Sequence, residues 1–84
     1  MSQRIFLLNS FGSLITTRRK KLGISQEELA SRADLDRTYI SGLERGVRNP
    51  SLTAIAKVAV GLGIAVEKLV KGLEDGASQK KRAR

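Results

Sequence analysis

Apolar residues recur at three- and four-residue spacing near the start of the chain. This spacing places them on one face of an α-helix. The residues concerned are Phe11, Leu14, Ile15 and Leu22. They predict a first helix that ends at Lys21 and begins at either Gln3 or Ser10, because the apolar run at residues 5–8 either extends the helix or forms an arm. Gly23 follows, at the position after a helix that favours glycine.

The second helix begins with the capping signal SQEE at residues 25–28. We expect the Ser25 hydroxyl to accept a hydrogen bond from the Glu28 N–H, and the Glu28 carboxylate to reach back in the reciprocal half of a capping box. The helix stops near Asp34. Its inward-facing residues are Leu29, Ala30 and Ala33.

The third helix is predicted from Arg37 to Arg45, with Asp36 as its N-cap and Gly46 closing it. At roughly 100° per residue, its inward side consists of Ile40, Leu43 and Glu44. Its outward side consists of Thr38, Ser41, Gly42 and Arg45. A surface helix selected only for stability favours Glu, Lys, Gln and Ala, so this outward side indicates close approach to another surface.

Two further helices complete the pattern. The fourth starts at Ser51 or Leu52, after a loop ended by Asn49 and Pro50, and its apolar stripe is Leu52, Ile55, Val58, Ala59 and Leu62. The fifth is shorter, has Ala65 as its N-cap, and carries Val66, Leu69, Val70 and Leu73. The predicted fold class is therefore all-α, a compact domain of five helices.

The predicted organisation has three parts. Residues 1–9 are an N-terminal extension or the start of the first helix, residues 10–73 the helical domain, and residues 74–84 a basic, disordered tail. Within the domain, two short helices joined by about three residues predict a helix-turn-helix, whose second helix enters the DNA major groove. An ordinary helical hairpin has the same spacing, so the spacing alone leaves both open.

Composition narrows the function classes. The chain has 84 residues and contains neither Cys nor His, which argues against disulfides and against the usual zinc sites. We therefore expect no metal or cofactor, and no enzyme, since a nucleophile or general base is hard to assemble from what is present. No uncharged run approaches the length of about 20 residues that a membrane span needs, and the lack of Cys fits a protein of the reducing cytoplasm.

The charge is strongly positive, at +8 with 16 basic and 8 acidic residues. Four of the 16 basic residues lie in the terminal segment QKKRAR, and the rest of the chain then has 16 − 4 = 12 basic against 8 acidic residues. The rest of the chain is therefore basic too. A basic surface favours polyanions, above all nucleic acid. Solubility is the alternative, and the charge alone leaves both open.

Residues 10–73 resemble the Cro and phage-repressor type of helix-turn-helix regulators. The matching residues, at positions 18–64, are RRKKLGISQEELASRADLDRTYISGLERGVRNPSLTAIAKVAVGLGI. The stretch LDRTYISGLERG is most similar to controller proteins of restriction–modification systems. One departure is Asp34, where the family usually has Gly, although Asp tolerates the left-handed conformation. The resemblance implies a lambda-repressor-like DNA-binding domain and a sequence-specific transcriptional regulator of double-stranded DNA.

The same resemblance implies specific DNA contacts. Gln26 contacts a phosphate, and Tyr39 contacts the backbone or a base. The residues that read base edges are Arg37, Thr38 and Ser41. The residues that hold the far phosphate are Arg45, Arg48 and Asn49.

These roles have structural alternatives. Arg37 is instead a solvated side chain paired with Asp36 or Asp34, and Tyr39 packs at the edge of the core. For Gln26 the alternative is an ordinary early helix residue, and for Arg48 and Asn49 it is an ordinary loop residue. The charges Arg19 and Glu44 belong to the scaffold: the resemblance implies an ion pair between them, and Glu44 faces inward, where it needs a partner.

A homodimer on a palindromic operator is expected, because one module reads too few base pairs for useful specificity. The proposed seam is the fifth helix, with residues 5–8 as a second contribution, and its residues are Val66, Leu69, Val70 and Leu73. By resemblance, Glu27 and Glu28 touch RNA polymerase in an activator, although Glu28 is more simply a capping residue. The alternative function is an antitoxin that binds both DNA and a toxin.

Overall fold

The first helix, α1, runs without interruption from Gln3 to Leu22, so residues 3–9 belong to the helix. The computed structural model describes residues 3–71 and residue 73. Phe11 and Ile15 are buried as expected, but Leu22 is 42% exposed, so its place on the apolar face was predicted wrongly. Gly23 ends the helix with φ +72°, which confirms the glycine stop.

The second helix, α2, spans Gln26–Ala33. The Ser25 hydroxyl accepts a hydrogen bond from the Glu28 N–H at 3.0 Å, as predicted. The Glu28 carboxylate, however, accepts from Arg32 Nε at 2.9 Å, one turn further along. Only the serine half of the capping box is therefore present, because Arg32 offers Glu28 a charged partner on the same helix face.

The turn after α2 depends on Asp34. Its φ of 55° and ψ of 49° are left-handed, and its N–H bonds to Ala30 and Ser31 carbonyls close the helix. It is the only residue other than glycine with positive φ in the described part of the chain. The expected tolerance of Asp for this conformation is confirmed.

The third helix, α3, spans Arg37–Glu44, one residue shorter than predicted, with Arg45 as its C-cap. Asp36 occupies the N-cap position with extended backbone but makes no side-chain bond to the helix amides. Its carboxylate instead accepts a hydrogen bond from the Thr38 hydroxyl. The expectation that the Asp36 side chain caps α3 was wrong, since Thr38 takes the acceptor.

The fourth helix, α4, spans Leu52–Leu62, with the Ser51 hydroxyl accepting from the Ala54 N–H at 3.1 Å. Gly63 ends it with φ +69°. Leu52 is 79% exposed, so its assignment to the buried stripe was wrong: the first turn of α4 projects beyond the core.

A fifth helix, α5, covers residues 66–71 and includes residue 73. Leu69 is 3% exposed and belongs to the core of the chain, and Leu73 packs against that core. The core of this chain therefore already takes up two of the four residues expected at the dimer seam. Val66 and Val70 remain exposed at 38% and 41%. The predicted tail, residues 74–84, lies outside the described residues.

The core lies where α1, α2, α3 and α4 meet, with α2 packed on α4 and α1 packed on α3. Its fully buried large side chains are Ile15, Leu29, Ile40, Leu43, Leu62 and Val58. Residues 3–71 contain helices and turns and no strand, which confirms the all-α fold. Among the described helices, none has the length and apolar character needed to cross a bilayer.

Candidate nucleic-acid interface

The two sides of α3 differ as the sequence predicts. Ile40 and Leu43 are 0% and 1% exposed, and they fix the helix to the core. Arg37 and Thr38 are exposed and Ser41 is half-buried. The expected base-reading residues therefore lie on one side of the helix, outside the core.

Gly42 corrects this picture, because it is buried rather than open to another molecule. A Cβ atom at Gly42 would lie 2.5 Å from Arg48 Cγ, so the stem of Arg48 lies directly over the glycine. The Val47 N–H also donates to the Gly42 carbonyl at 3.0 Å. The loop after α3 thus folds back onto the helix. The stem of Arg48 occupies the space next to Gly42 that a side chain at this position would need.

Tyr39 lies at the edge of the core, with one face close to a cation of the same chain. Its ring is half-buried and packs against the core, as the structural alternative requires. The Arg48 guanidinium carbon lies 5.6 Å from the ring centroid, within the range of a cation–π contact. The Tyr39 ring therefore packs against the Arg48 guanidinium and restricts the conformations of this exposed side chain.

An open cleft of about 440 Å³ separates α3 from the start of α4. One wall includes Thr38, Tyr39 and Arg48, and the other includes Ser51, Thr53 and Lys57. The second wall was not among the predicted site residues. The available signal was the N-terminus of α4, whose amides favour an anion, directly after the basic loop.

Arg37 does not pair with Asp36 or Asp34, the partners of its structural alternative. Its Nε lies 3.2 Å from Oε2 of Glu27, on α2. Both side chains are more than half exposed, so this ion pair contributes little to stability. Sequence reasoning missed this contact because it depends on how α2 and α3 cross.

Arg19 and Glu44 are in contact, with Arg19 Nε 2.6 Å from Glu44 Oε2 and Nη2 3.1 Å from Oε1. The remaining terminal nitrogen of Arg19 donates to the Ile24 carbonyl at 2.9 Å. The side chains are only 13% and 6% exposed. This pair joins α1, the following turn and the end of α3.

The environment of Glu44 acts on its pKa in two directions. Burial raises the pKa of Glu44. Hydrogen bonds from Arg19 and Gln26 and the charge of Arg19 lower it by more than burial raises it, so the pKa of Glu44 lies below its ordinary value. The bond to Glu44 raises the pKa of Arg19. Both groups are therefore charged at neutral pH.

Gln26 is the third member of this cluster. Its amide Nε2 donates to Glu44 Oε1 at 3.0 Å, so the predicted phosphate ligand is held at the N-terminus of α2 by the scaffold pair.

The predicted far-phosphate residues are Arg45, Arg48 and Asn49, and all three are exposed at the end of α3. A cationic edge therefore follows the helix that carries Arg37, Thr38 and Ser41. Within the described residues, no cluster of acidic side chains forms a group that would hold a metal ion.

Known proteins of similar sequence are helix-turn-helix proteins and control proteins. The helix-turn-helix family model matches residues 15–69. Control protein C.MunI of Mycoplasma sp is 46% identical over 57 residues, 68% of this chain and 77% of that protein. Control protein C.BamHI of Bacillus amyloliquefaciens is 41% identical over 83 residues, 98% of this chain and 100% of that protein.

A solved structure extends the likeness to three dimensions. The restriction–modification controller protein C.Esp1396I, as a tetramer in complex with its natural 35 base-pair operator, aligns with a TM-score of 0.72 at 38% identity. The alignment covers 81% of this chain and 95% of that one.

Proposed function

Because the chain belongs to the helix-turn-helix family and, within it, to the restriction–modification controller proteins, we propose that it binds operator DNA and regulates restriction–modification genes. It acts as a homodimer on a palindromic site, with α3 in the major groove. This family consists of DNA-binding regulators rather than enzymes.

The observation that carries the proposal is the division of α3 into two sides. Ile40 and Leu43 are fully buried, while Arg37 and Thr38 stand in solvent. Arginine bonded to guanine O6 and N7 is the commonest specific base contact in the major groove. Arg37, at the first position of α3, is therefore the residue assigned to this contact, with Thr38 and Ser41 beside it.

Phosphate contacts on both sides of α3 supply register and affinity. We assign one side to Gln26 at the N-terminus of α2, and the other to Arg45, Arg48 and Asn49. The cleft between α3 and α4 adds Ser51, Thr53 and Lys57, which lie beside Arg48, to this second side. Tyr39 acts through Arg48, whose guanidinium it supports.

The proposed dimer seam is reduced to the exposed part of α5. Val66 and Val70 are the described α5 residues whose large apolar side chains are exposed, and an unpaired apolar pair of this kind favours burial against a second copy. Leu69 and Leu73 support the seam from inside, since they fix α5 to the core. Two copies would then present their α3 helices at about one turn of DNA, roughly 34 Å apart.

The antitoxin alternative lacks comparable support, since the relatives and the structure described above are control proteins. A contact between RNA polymerase and Glu27 or Glu28 stays a prediction. Both carboxylates have cationic partners on the protein, Arg37 and Arg32 respectively. We also propose that the protein acts in the cytoplasm, where operator DNA is found.

The test is a titration of selected palindromic and random duplexes over a range of salt concentrations. We expect a preferred palindrome and affinity that falls steeply with salt. Arg37→Ala should lose about 1–3 kcal/mol at one base pair of each half-site and relax the preference there. Arg32→Ala, which removes an exposed arginine of α2 that pairs with Glu28, is the matched control.

Two outcomes count against the proposal. If no palindrome is preferred over random sequence, the chain is not a sequence-specific regulator. If Arg37→Ala weakens all duplexes equally, Arg37 is a phosphate ligand and the assigned orientation of α3 is wrong.

A further inference from the structure

Glu27 is the acidic residue of α2 that reaches across to α3. Its carboxylate lies 3.2 Å from Arg37 Nε, whereas its neighbour Glu28 pairs with Arg32 inside α2. Among the described residues, Arg37 has no second ion-pair partner. The guanidinium therefore has one charged neighbour, the Glu27 carboxylate, which comes nearest at Nε.

This placement opposes simple DNA affinity. Glu27 is exposed and negatively charged, and it lies beside a residue assigned to the DNA surface. A carboxylate at this position repels phosphate oxygens of every sequence. The loss of DNA affinity through this repulsion is weighed against the effect of the Glu27 carboxylate on the orientation of Arg37.

The geometry favours an orienting role. Reading guanine requires two N–H groups of the planar guanidinium to point at O6 and N7 together. A free arginine side chain samples many rotamers, and fixing one of them beforehand reduces the entropy lost on binding. A carboxylate 3.2 Å from the guanidinium attracts it and so restricts the positions that the Arg37 side chain samples.

We propose that Glu27 is a positioning residue for Arg37, which raises discrimination at the base pair that Arg37 reads while lowering affinity for DNA of any sequence. The inference rests on the proposed function, because it requires Arg37 to read a base. It assigns to Glu27 a role that depends entirely on Arg37.

A double-mutant cycle tests this dependence. Glu27→Gln, Arg37→Ala and the double variant are titrated against the preferred duplex and against duplexes changed at each base pair, at one salt concentration. Glu28→Gln is the matched control, since it removes the same charge from the adjacent residue of α2. Thermal melting of each variant checks folding, which the loss of an exposed ion pair should leave nearly unchanged.

We expect Glu27→Gln to strengthen binding to random DNA by about 2-fold or more, through the loss of repulsion. Discrimination at the Arg37 base pair should fall by roughly 5-fold, a part of what a bidentate contact supplies. In the Arg37→Ala background the second effect should disappear and the first should remain. Glu28→Gln should leave discrimination as in the unchanged protein.

The outcomes separate this inference from the proposed function. If the unchanged protein has no preferred sequence, the proposed function itself fails. If it has one and Glu27→Gln changes discrimination equally with and without Arg37, or not at all, only the positioning role is overturned. Sharper discrimination by Glu27→Gln would also overturn it, because the carboxylate would then be sequestering Arg37.

Nuclear magnetic resonance gives a readout that does not depend on DNA. The Arg37 side chain should be less mobile, with a higher side-chain order parameter, in the unchanged protein than in Glu27→Gln. Glu27→Asp, which keeps the charge on a shorter side chain, should give an intermediate order parameter and intermediate discrimination. Equal order parameters in all three proteins would contradict the contact in solution.

Discussion

Arg19 on α1 and Glu44 at the end of α3 are joined by two hydrogen bonds, at 2.6 and 3.1 Å, across 25 residues of sequence. Glu44 also accepts from Gln26 on α2, so one carboxylate links three helices. The recognition helix is thereby fixed at its C-terminal end by charge, while Ile40 and Leu43 fix it by burial.

Glu44→Ala should strongly destabilise the protein. The substitution leaves the Arg19 guanidinium, whose side chain is 13% exposed, without its carboxylate. Removing one partner of a buried ion pair costs about 3–5 kcal/mol, which should lower the melting temperature by more than about 10 °C in a domain of this size. Differential scanning calorimetry measures it.

Glu28→Ala is the control for this experiment. It breaks an ion pair with Arg32 in which both side chains are about half exposed, and such pairs contribute about 0.3–0.5 kcal/mol. A melting temperature of Glu44→Ala as high as that of Glu28→Ala would mean that the Arg19 contact is not structural.

Acid should weaken the fold through the same residue. The pKa of Glu44 is lower in the folded protein than its ordinary value of 4.5. The stabilisation from its ionised form is therefore present above about pH 4.5 and is lost as the pH falls through the folded pKa. Melting temperatures between pH 3 and 7 should fall less steeply at the acidic end for Glu44→Gln than for the unchanged protein. Parallel curves would contradict the shift.

Gly12→Ala should be destabilising, although Gly→Ala within a helix is usually favourable. A Cβ atom at Gly12 would lie 2.5 Å from the carbonyl oxygens of both Leu43 and Glu44, so the backbones of α1 and α3 would have to separate. We expect a loss of about 1–3 kcal/mol, measured by urea denaturation. Ser13→Ala, at the next, exposed position of α1, should be nearly neutral, and a stable Gly12→Ala would contradict the close approach.

The left-handed backbone at Asp34 predicts the relative stabilities of two variants at this position. Asp34→Ala and Asp34→Gly both lose the ion pair between the Asp34 carboxylate and Lys57 Nζ, at 3.6 Å, but only alanine is strained at φ 55°. The alanine variant should be less stable than the glycine variant by about 1 kcal/mol, as urea denaturation would show. Equal stabilities would mean that the turn relaxes to another conformation.

Oligomeric state tests the seam on α5. Val70→Glu should shift the protein from dimer to monomer in sedimentation at micromolar concentration, because a charge would be buried in the interface. Val60→Glu changes a valine of α4 that is 72% exposed, and it should remain dimeric. Dissociation by Val60→Glu, or a dimer that survives Val70→Glu, would move the seam elsewhere.

The helices were predictable because their signals are local. Ser25 caps α2, Gly23 ends α1 in left-handed backbone, and periodicity identifies Ile40 and Leu43 as the buried side of α3. Each of these depends on residues within one or two turns. The inward position of Glu44 followed from the same angular count.

The errors involve tertiary context. Periodicity placed Gly42 outward, but Arg48 covers it; the same reasoning placed Leu52 inward, although α4 begins beyond the core. The partner of Arg37 depends on the crossing of α2 and α3, which no spacing along the chain encodes. The absorption of Leu69 depends on where α5 folds, and the sequence shows only that it is apolar.

The contact between Gly12 and the last carbonyls of α3 bears on how such a regulator acquires a new target. Because this contact is made by backbone atoms, it places no demand on the side chains of Arg37, Thr38 and Ser41. Substitutions at those three positions should therefore leave the packing of α3 on α1 unchanged. If the three residues read bases as proposed, grafting those of another controller should change the preferred operator without loss of stability, provided Gly12 is kept.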